Sequence, residues 1–170
     1  MTEKRKATEK RKTVSLCLLV MNEHKGCEHD VPLIPRDQFD EVFAVDGNST
    51  DGTVEYLEAA GIPVHQQPEN GYSAGCHHGF RMCKSDALVL FFPTGSVPVE
   101  DTLKFRVCFD AGAELVIASR NMKGARNEED IHFFRPRKWF VLGLSFLTAL
   151  LWRREGLVVW DVLHGFRGMT

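Results

Sequence analysis

The stretch EVFAVDGNSTDGT, residues 41–53, joins a short apolar strand to a polar loop and the start of a helix. Residues 41–45 are rich in β-forming side chains, and the Asp-Gly pair that follows them ends the strand. Ser49 or Thr50 is suited to cap the N-terminus of a helix that Gly61 then ends. The stretch therefore predicts one strand-loop-helix unit of an α/β fold.

The same alternation of strands and helices extends outward from this unit. Strands are predicted at residues 14–20 (VSLCLLV), 62–64, 87–92 (ALVLFF), 114–118 and 158–162, and helices at 73–84, 99–111 and 136–153. Strands as apolar as residues 14–20 and 87–92 need cover on both faces, which is typical of parallel sheets. The sequence therefore predicts an α/β fold with a mainly parallel sheet, helices on both faces and right-handed crossovers.

Length and charge limit the domain organisation. The 170 residues are enough for one domain, and we expect a single domain over residues 13–170. Residues 1–14 carry six Lys or Arg against two Glu, so a net charge of +4 precedes a remainder of −6 within the total of −2. We predict that residues 1–12 form a flexible basic tail, with attraction to anionic lipid headgroups as the functional alternative. The negative charge of the remainder disfavours a nucleic-acid-binding domain.

Cysteine usage bears on the compartment. The five cysteines have no paired spacing, and no apolar signal peptide precedes them. We therefore expect a reduced, cytoplasmic chain whose thiols are buried or incidental rather than zinc ligands.

One apolar segment offers a membrane contact. Residues 139–152 contain no charge, and Arg or Lys residues flank them on both sides. Fourteen residues of helix rise about 21 Å, which is short of the ~30 Å hydrocarbon core of a bilayer. Two interpretations stay open: a helix of the protein core, or a helix that lies on the cytoplasmic face of a membrane and makes the protein peripheral.

Polar side chains follow the first two strands, at the edge where a parallel sheet binds its ligands. Asn22 and Glu23 come after residues 14–20, and Asp46 opens a loop with two glycines after residues 41–45. A carboxylate fixed at a strand end accepts hydrogen bonds from a nucleobase edge or from ribose hydroxyls, and the N–H groups of the next helix favour an anion. A turn with one N-cap is the alternative, but it needs fewer polar side chains. The ligand-binding candidates are Asn22, Glu23, Asp46, Gly47, Ser49 and Asp51.

Five short motifs resemble those of the family 2 glycosyltransferases. They are VMNE (residues 20–23), VDGNSTDGT (45–53), NGYSA (70–74) with Gly79, VIASR (116–120) and DVLHGFR (161–167). The last motif is similar to that of the polyprenyl-phosphate sugar transferases, the dolichol-phosphate-mannose-synthase-like branch. The resemblance spans about residues 13–168. It implies the GT-A fold, a Rossmann-like nucleotide-diphospho-sugar transferase fold.

The resemblance also implies a function and a donor site. The protein would move a sugar from a UDP- or GDP-sugar to polyprenyl phosphate or a similar lipid-phosphate acceptor. Asn22, Glu23 and Asp46 would hold the base and ribose of the nucleotide-sugar. Asp51 would brace their loop or touch the nucleotide.

Three residues further along the chain would act on phosphates or on the acceptor. The resemblance implies that Arg120 faces the diphosphate or the acceptor phosphate, and that Arg167 faces the acceptor phosphate. Asp161 would orient the acceptor or a cation. Guanidinium groups suit these roles because they bind phosphate oxygens through two matched hydrogen bonds. A phosphate acceptor is already anionic near neutral pH, so it needs a dedicated base less than a hydroxyl does.

The sequence departs from the family's pattern after residues 87–92. PTGS (residues 93–96) stands where the family carries Asp-x-Asp or Pro-Asp-Gly, which binds a divalent cation, and Thr94 takes the place of the Asp in the nucleotide site. A hydroxyl is a poor ligand for Mg²⁺ or Mn²⁺. The resemblance allows either cation, and we assign no metal-ligating residue. The alternative function is therefore a catalytically impaired homologue that binds nucleotide or acts as a scaffold. A nucleotidyltransferase is a third reading, which residues 21–26 disfavour because they supply only Lys25.

The end of the sequence is a second departure. Domains of the family continue beyond the GFR motif, whereas this sequence ends at Thr170. We expect a minimal or truncated C-terminus. A wall of the acceptor site would then be absent, or supplied by a partner chain in a homo-oligomer.

Overall fold

A computed structural model describes residues 11–119, 136–152 and 165–170 of the protein. Within these residues, six strands form one sheet: β1 (Val14–Val20), β2 (Glu41–Asp46), β3 (Val64–Gln66), β4 (Ala87–Phe91), β5 (Leu115–Ile117) and β6 (Arg167–Met169). The helices are α1 (His24–Asp30), α2 (Thr53–Ala59), α3 (Tyr72–Met82), α4 (Thr102–Asp110) and α5 (Pro136–Trp152). Short 3-10 turns cover Val31–Leu33, Arg36–Gln38 and Val99–Asp101.

The sheet has the order β3-β2-β1-β4-β6-β5, and β1 lies near its centre. β1 pairs in parallel with both β2 and β4, and β2 pairs in parallel with β3. The α/β fold with a mainly parallel sheet is therefore confirmed. All seven residues of β1 are buried, as a strand covered on both faces requires.

The register of the sheet brings three loops to one edge. Val20 of β1 lies beside Asp46 of β2, and Leu18 lies beside Phe91 of β4. These three strands therefore end within two residues of the same level, and the loops that follow them meet at the carboxyl edge of the sheet.

Helix α3 covers one face of this sheet. Its side of the core contains Cys17, Leu19, Phe43, Val45, Leu88 and Leu90, with Cys76 and Met82 of α3 packed against them. A glycine at 79 permits this close approach, because a Cβ atom there would lie 3.0 Å from the Cys17 Sγ. Burial raises the pKa of the Cys17 thiol, with smaller contributions from Cys76 and Cys83. Cys17 thus behaves as a buried apolar side chain, as expected from the sequence.

Two compact units are found along the chain. The first comprises residues 1–116 together with 168–170, and the second comprises residues 117–167 and contains α5. The single domain predicted over residues 13–170 stays a prediction. Outside the described residues lie Arg120, Asp161, the strand predicted at 158–162 and nearly all of the tail predicted at 1–12.

The start of α2 differs from its prediction. The helix begins at Thr53, and its N-cap is Gly52 with φ +90°, without a side-chain cap. Ser49 does not cap the helix because its hydroxyl donates to Asp46 instead. The end of the helix is confirmed, since Gly61 follows it in the left-handed conformation with φ +74°. Helix α1 was not predicted, because HKGCEHD has no apolar periodicity.

Candidate functional site

Asn22 joins the loops that follow β1 and β2. Its backbone N–H donates to the Ser49 hydroxyl at 2.8 Å, and its side-chain oxygen accepts a hydrogen bond from the Thr50 backbone N–H at 2.8 Å. Asn22 has φ +54°, a left-handed conformation that asparagine tolerates better than most residues. The exposed Asn22 side chain therefore holds the two loops in one arrangement at the sheet edge.

The Asp46 carboxylate is fully buried. One of its oxygens accepts a hydrogen bond from the Ser49 backbone N–H at 2.9 Å, and the other accepts one from the Ser49 hydroxyl. A direct contact between Asp46 and base or ribose does not fit this geometry, because a ligand would have to displace Ser49 from both oxygens. Asp46 shapes the loop in this structure, and the same contacts withdraw Ser49 from the ligand side.

Gly47 lies buried next to this carboxylate, at the point where the loop turns. Its N–H donates to the Val20 carbonyl at 2.8 Å, which continues the pairing of β1 and β2 by one residue. A Cβ atom at position 47 would lie 3.2 Å from the Met21 Cβ. The glycine is therefore required for close packing of the two loops, and its predicted place beside a nucleotide stays a prediction.

Asp51 fastens the loop to both neighbouring helices. One carboxylate oxygen accepts hydrogen bonds from the N–H and the hydroxyl of Thr53, and the other accepts one from the His24 N–H at 3.1 Å. The Thr53 hydroxyl, together with these backbone N–H groups, lowers the pKa of Asp51. Of the two roles that the sequence left open for Asp51, these contacts favour the bracing of the loop.

The Glu23 carboxylate stays available to a ligand at this edge, unlike the carboxylates of Asp46 and Asp51. Burial raises its pKa, and the negative charge of Asp51 raises it further. Its backbone N–H donates to the Thr53 hydroxyl at 3.0 Å, but no described residue donates a hydrogen bond to its carboxylate. A carboxylate held in such a setting is a feature of ligand-binding and catalytic sites.

The loop after β4 is fixed to α1. Its Gly95 N–H donates to the buried carboxylate of Asp30 at 2.9 Å, and the other oxygen of Asp30 lies 2.8 Å from Nδ1 of His29. A Cβ atom on Gly26 would lie only 2.0 Å from the Pro93 carbonyl oxygen, so α1 and this loop are in close contact. The sequence did not predict the Asp30 contact, which joins residues 65 positions apart.

This anchoring sets the position of Thr94. Thr94 is exposed, and its hydroxyl lies 2.7 Å from the hydroxyl of Ser96. The loop after β4 therefore presents two neighbouring hydroxyls at the sheet edge, where carboxylates were expected in a metal-binding protein.

Three apolar side chains complete the edge: Met21, Tyr72 and Phe92, which we call the apolar ledge. The rings of Tyr72 and Phe92 stack with centroids 5.9 Å apart and an interplanar angle of 21°. Tyr72 is 54% exposed and Met21 63% exposed. Phe92 packs against the core on the α3 face of the sheet. Met21 is two residues beyond Leu19, a core residue of that face, so strand alternation predicts the same face for it. The period of two, continued past the strand ends, was the signal in the sequence that would have found them.

The described residues do not fit a divalent cation. Asp30, Asp46 and Asp51 already accept hydrogen bonds on both oxygens, and Thr94 offers a hydroxyl. In the part of the chain that the structure describes, no group of three His, Cys, Asp or Glu side chains is arranged to hold a metal ion. Mg²⁺ and Mn²⁺ prefer several carboxylate oxygens, so this donor set suits neither.

Of the residues predicted to act on phosphates, Arg167 alone is described. It is the first residue of β6 and is half-buried. The predicted roles of Arg120, Asp161 and Arg167 stay predictions.

Residues 33–92 match the sequence profile of Glycosyl transferase family 2. This span runs from before β2 to the residue after β4, and it includes the Asp46–Asp51 loop and both stacked aromatic rings. A search of curated proteins finds no significant match.

The fold is similar to that of glucosyl-3-phosphoglycerate synthase from Mycobacterium tuberculosis. Its complex with UDP superposes with a TM-score of 0.70 at 21% sequence identity, covering 94% of this chain and 57% of that one. Its complex with phosphoglyceric acid gives 0.67 at 20%, covering 94% and 57%. Its complex with Mn²⁺ and UDP-glucose gives 0.67 at 21%, covering 94% and 56%.

These structures confirm the predicted GT-A fold. The chain spans little more than half the length of that protein. The dolichol-phosphate-mannose-synthase-like branch, in contrast, is not confirmed by any of these matches and stays a prediction.

Proposed function

We propose that the protein binds a uridine nucleotide-sugar at the carboxyl edge of the sheet and transfers the sugar to an acceptor that carries a phosphate. The observation that carries this proposal is the meeting of three cross-linked loops at this edge, where the Glu23 carboxylate accepts no hydrogen bond from the described residues and the exposed Tyr72 ring stacks on Phe92. Similar structures bind UDP and UDP-glucose, which supports a uridine donor. None of the complexes described above contains a guanosine nucleotide, so a GDP-sugar has no such support.

Each part of the nucleotide-sugar has a matching group at this edge. The Glu23 carboxylate accepts a hydrogen bond from the base or from a ribose hydroxyl, and the Asn22 side chain lies beside it. The flat Tyr72 ring stacks on the base, an interaction worth about 1–3 kcal/mol for a base on an aromatic side chain. The hydroxyls of Thr94 and Ser96 donate hydrogen bonds to the diphosphate. Asp46 supports these contacts from below by holding the loop.

The transfer step needs little from the protein beyond placement. An ionised phosphate oxygen of a lipid-phosphate acceptor, or a hydroxyl oxygen of a small phosphate-bearing acceptor, attacks the anomeric carbon and forms the new bond to the sugar. The hydroxyl of the small acceptor passes its proton to a phosphate oxygen of the departing UDP. The bond from that carbon to the diphosphate breaks, and the bonding electron pair leaves with UDP. Placing two reactants in line in this way lowers a barrier by several kcal/mol without a covalent intermediate.

The proposed acceptor is a small phosphate-bearing molecule or a lipid phosphate. Similar structures bind phosphoglyceric acid and, in one complex, glycerol 3-phosphate together with UDP-glucose and Mn²⁺. Polyprenyl phosphate, which the sequence motif suggests, shares the phosphate but adds a long apolar chain. Arg120 and Arg167 are proposed to face that phosphate, and Asp161 to orient the acceptor. A homo-oligomer that completes the acceptor wall stays a prediction.

One observation favours a second function, the binding of nucleotide without transfer. Among the described residues, Thr94 offers only a hydroxyl and no group of side chains is arranged to hold a cation that would neutralise the leaving diphosphate. Loss of such a cation removes several kcal/mol of transition-state stabilisation. A protein of this kind would keep the nucleotide and lose the reaction.

Calorimetric titration with UDP and GDP tests the binding site. We expect UDP to bind at least tenfold more tightly than GDP. Glu23→Gln and Tyr72→Leu should each weaken UDP by about tenfold, which corresponds to about 1.4 kcal/mol. Val107→Ala, on the exposed face of α4, is the matched control. Equal affinity of the wild type and both site variants would contradict the proposed site.

Turnover separates the two functions. Release of UDP from UDP-glucose is measured with phosphoglycerate, glycerol 3-phosphate or polyprenyl phosphate as acceptor. Transfer to one of them supports the enzyme, and tight binding of UDP without transfer to any of them supports the second function.

A further inference from the structure

Helix α5 (Pro136–Trp152) turns an apolar face outward. Six large apolar side chains on it are between 49% and 71% exposed: Trp139, Phe140, Phe146, Leu147, Leu150 and Leu151. Val141 and Ser145, in contrast, are buried. An amphipathic helix of a globular protein normally has the opposite arrangement, with its apolar side chains inside and its polar ones outside.

The exposed side chains form one continuous stripe. At about 100° per residue, all six lie within an arc of roughly 140° on the helix surface. Val141 and Ser145 lie on the opposite side of the helix. A continuous apolar stripe of this size marks a surface that is covered in the working protein, whereas a single exposed apolar residue needs no explanation.

The charge of the flanking sequence indicates what covers the stripe. Between residues 131 and 154 the sequence has no Asp or Glu. Three basic residues precede the apolar run and two follow it: Arg135, Arg137, Lys138, Arg153 and Arg154. The rest of the chain is negatively charged overall, since the total is −2. Tryptophans occupy both ends of the run, at 139 and 152. Anionic lipid headgroups complement this charge, and tryptophan favours the boundary between headgroups and acyl chains.

The length of α5 fits a helix that lies along a membrane surface. Its 17 residues rise about 26 Å. No helix in the described parts of the chain is long and apolar enough to cross a bilayer. A second protein chain would also cover the apolar stripe, but it would not account for the five Arg and Lys residues that flank the run in the sequence.

We propose that α5 docks on an anionic phospholipid bilayer, with the exposed stripe in the acyl boundary. This proposal does not depend on the proposed function, because it concerns a different element and a different ligand.

Vesicle flotation tests the proposal with the full chain. We expect binding to vesicles of phosphatidylcholine mixed with phosphatidylglycerol to be at least tenfold stronger than binding to phosphatidylcholine alone. Salt should weaken it, because the headgroup attraction is screened. The tryptophan emission should shift to shorter wavelength in the presence of the anionic vesicles.

Two variants and one control make the test specific to the stripe. Phe146→Glu and Leu150→Glu place a charge on exposed positions, so the fold should be kept, and each should reduce vesicle binding at least tenfold. Val107→Glu is the control, since Val107 is 69% exposed on α4 and Phe146 is 68% exposed on α5. It should bind vesicles like the wild type, and all three variants should keep the wild-type melting temperature.

Three results would overturn the proposal. One is wild-type protein that does not bind the anionic vesicles. Another is an equal loss of binding in the Val107→Glu control. The third is a dimer in light scattering that Phe146→Glu dissociates, together with no binding to vesicles, which would assign the stripe to a second copy of the chain.

Discussion

Glu23 lies between two loops, partly buried and beside the Asp51 carboxylate, so its ionised form is disfavoured in the folded protein. As pH rises above the ordinary pKa of 4.5, the unfolded chain loses this proton before the folded protein does. Stability therefore falls over the range between that pKa and the raised one, and the loss persists at neutral pH. Glu23 therefore costs the fold some stability at neutral pH.

We predict that Glu23→Gln stabilises the protein at pH 7 by a few tenths of a kcal/mol, in the range usual for partly exposed positions, and weakens UDP binding. Well below pH 4.5 the Glu23 carboxyl is protonated in the folded and the unfolded protein alike, so the stability gain of Glu23→Gln should vanish there. Urea denaturation at neutral and acidic pH measures the difference. A variant that is less stable than the wild type at pH 7 would contradict the argument.

Gly26 decides where the loop after β4 lies. A methyl group at this position would meet the Pro93 carbonyl oxygen at 2.0 Å and the Thr94 Cα at 2.9 Å, and both are backbone atoms that move only with the loop. We predict that Gly26→Ala destabilises the protein by about 1–3 kcal/mol, as overpacking usually does, and reduces UDP affinity by displacing Thr94.

Gly143→Ala is the matched control, since Gly143 is also a helical glycine and has no atom within 4 Å of the added Cβ. It should be neutral or stabilise by up to about 1 kcal/mol, because alanine is the better helix former. Thermal melting and calorimetric titration of the two variants make the comparison. If both glycines tolerate alanine equally, the contact between α1 and the loop is not as close as described.

At the scale of elements, the strands of the core were the most predictable part. The run at β1 is apolar without interruption and fully buried, so burial and sequence pattern carry the same information. The end of α2 was predictable because Gly61 needs its positive φ. The start of α2 was not predictable, because the Ser49 hydroxyl could either cap the helix or donate to Asp46. In the structure it donates to Asp46.

The sequence predicted which loops meet at this edge, whereas the ligand-binding roles of their residues stay predictions. The rule that parallel strands bind ligands at their carboxyl ends correctly brought Asn22, Glu23 and the Asp46–Asp51 loop together. The rule does not say to which face of the sheet a carboxylate at a strand end points. Alternation along β2 does, because Val45 faces α3 and Asp46 therefore points to the opposite face. The contacts of Asp30 with Gly95 and of Tyr72 with Phe92 depend on tertiary packing, which no local pattern encodes.

Arg106 ties helix α4 to the start of the sheet, and it is buried, with only 7% exposure. Its guanidinium donates to the carbonyls of Gln38 and Lys12 at 2.7 and 3.3 Å, and to the Asp40 carboxylate at 3.3 Å. The Asp40 carboxylate also accepts a hydrogen bond from the Val14 N–H at 2.8 Å. That hydrogen bond, with a contribution from Arg106, lowers the pKa of Asp40.

We predict that Arg106→Met destabilises the protein by about 2 kcal/mol, the usual value of hydrogen bonds to a charged group. The lowered pKa of Asp40 adds stability that is present above pH 3.8 and is lost as pH falls through the lowered value. Asp40→Asn should therefore flatten the acid limb of the stability curve. Lys104→Met is the control on the same helix, because the exposed pair of Lys104 with Asp101 contributes little. A larger loss in the control than in Arg106→Met would refute this account.

At the scale of the whole molecule, the binding of a nucleotide to the folded protein alone must raise its stability. The gain is about 2.7 kcal/mol at a hundredfold excess of free ligand over the dissociation constant. For a chain of this length, such a gain corresponds to a rise of roughly 5–10 °C in melting temperature. No donor set among the described residues would hold a cation, so we expect this binding to proceed without one.

We therefore predict that UDP raises the melting temperature equally in EDTA and in Mn²⁺, and that GDP raises it less. Thr94→Asp adds a carboxylate to the loop that we propose faces the diphosphate, so in this variant the rise should become larger in Mn²⁺ than in EDTA. Thermal melting of wild type and variant over a UDP titration gives both comparisons. Ser96→Ala serves as the control, because it changes the same loop without adding a ligand for metal. A wild-type protein that responds to UDP only in Mn²⁺ would mean that residues beyond those described complete a metal site, and that the hydroxyls of Thr94 and Ser96 do not by themselves hold the diphosphate.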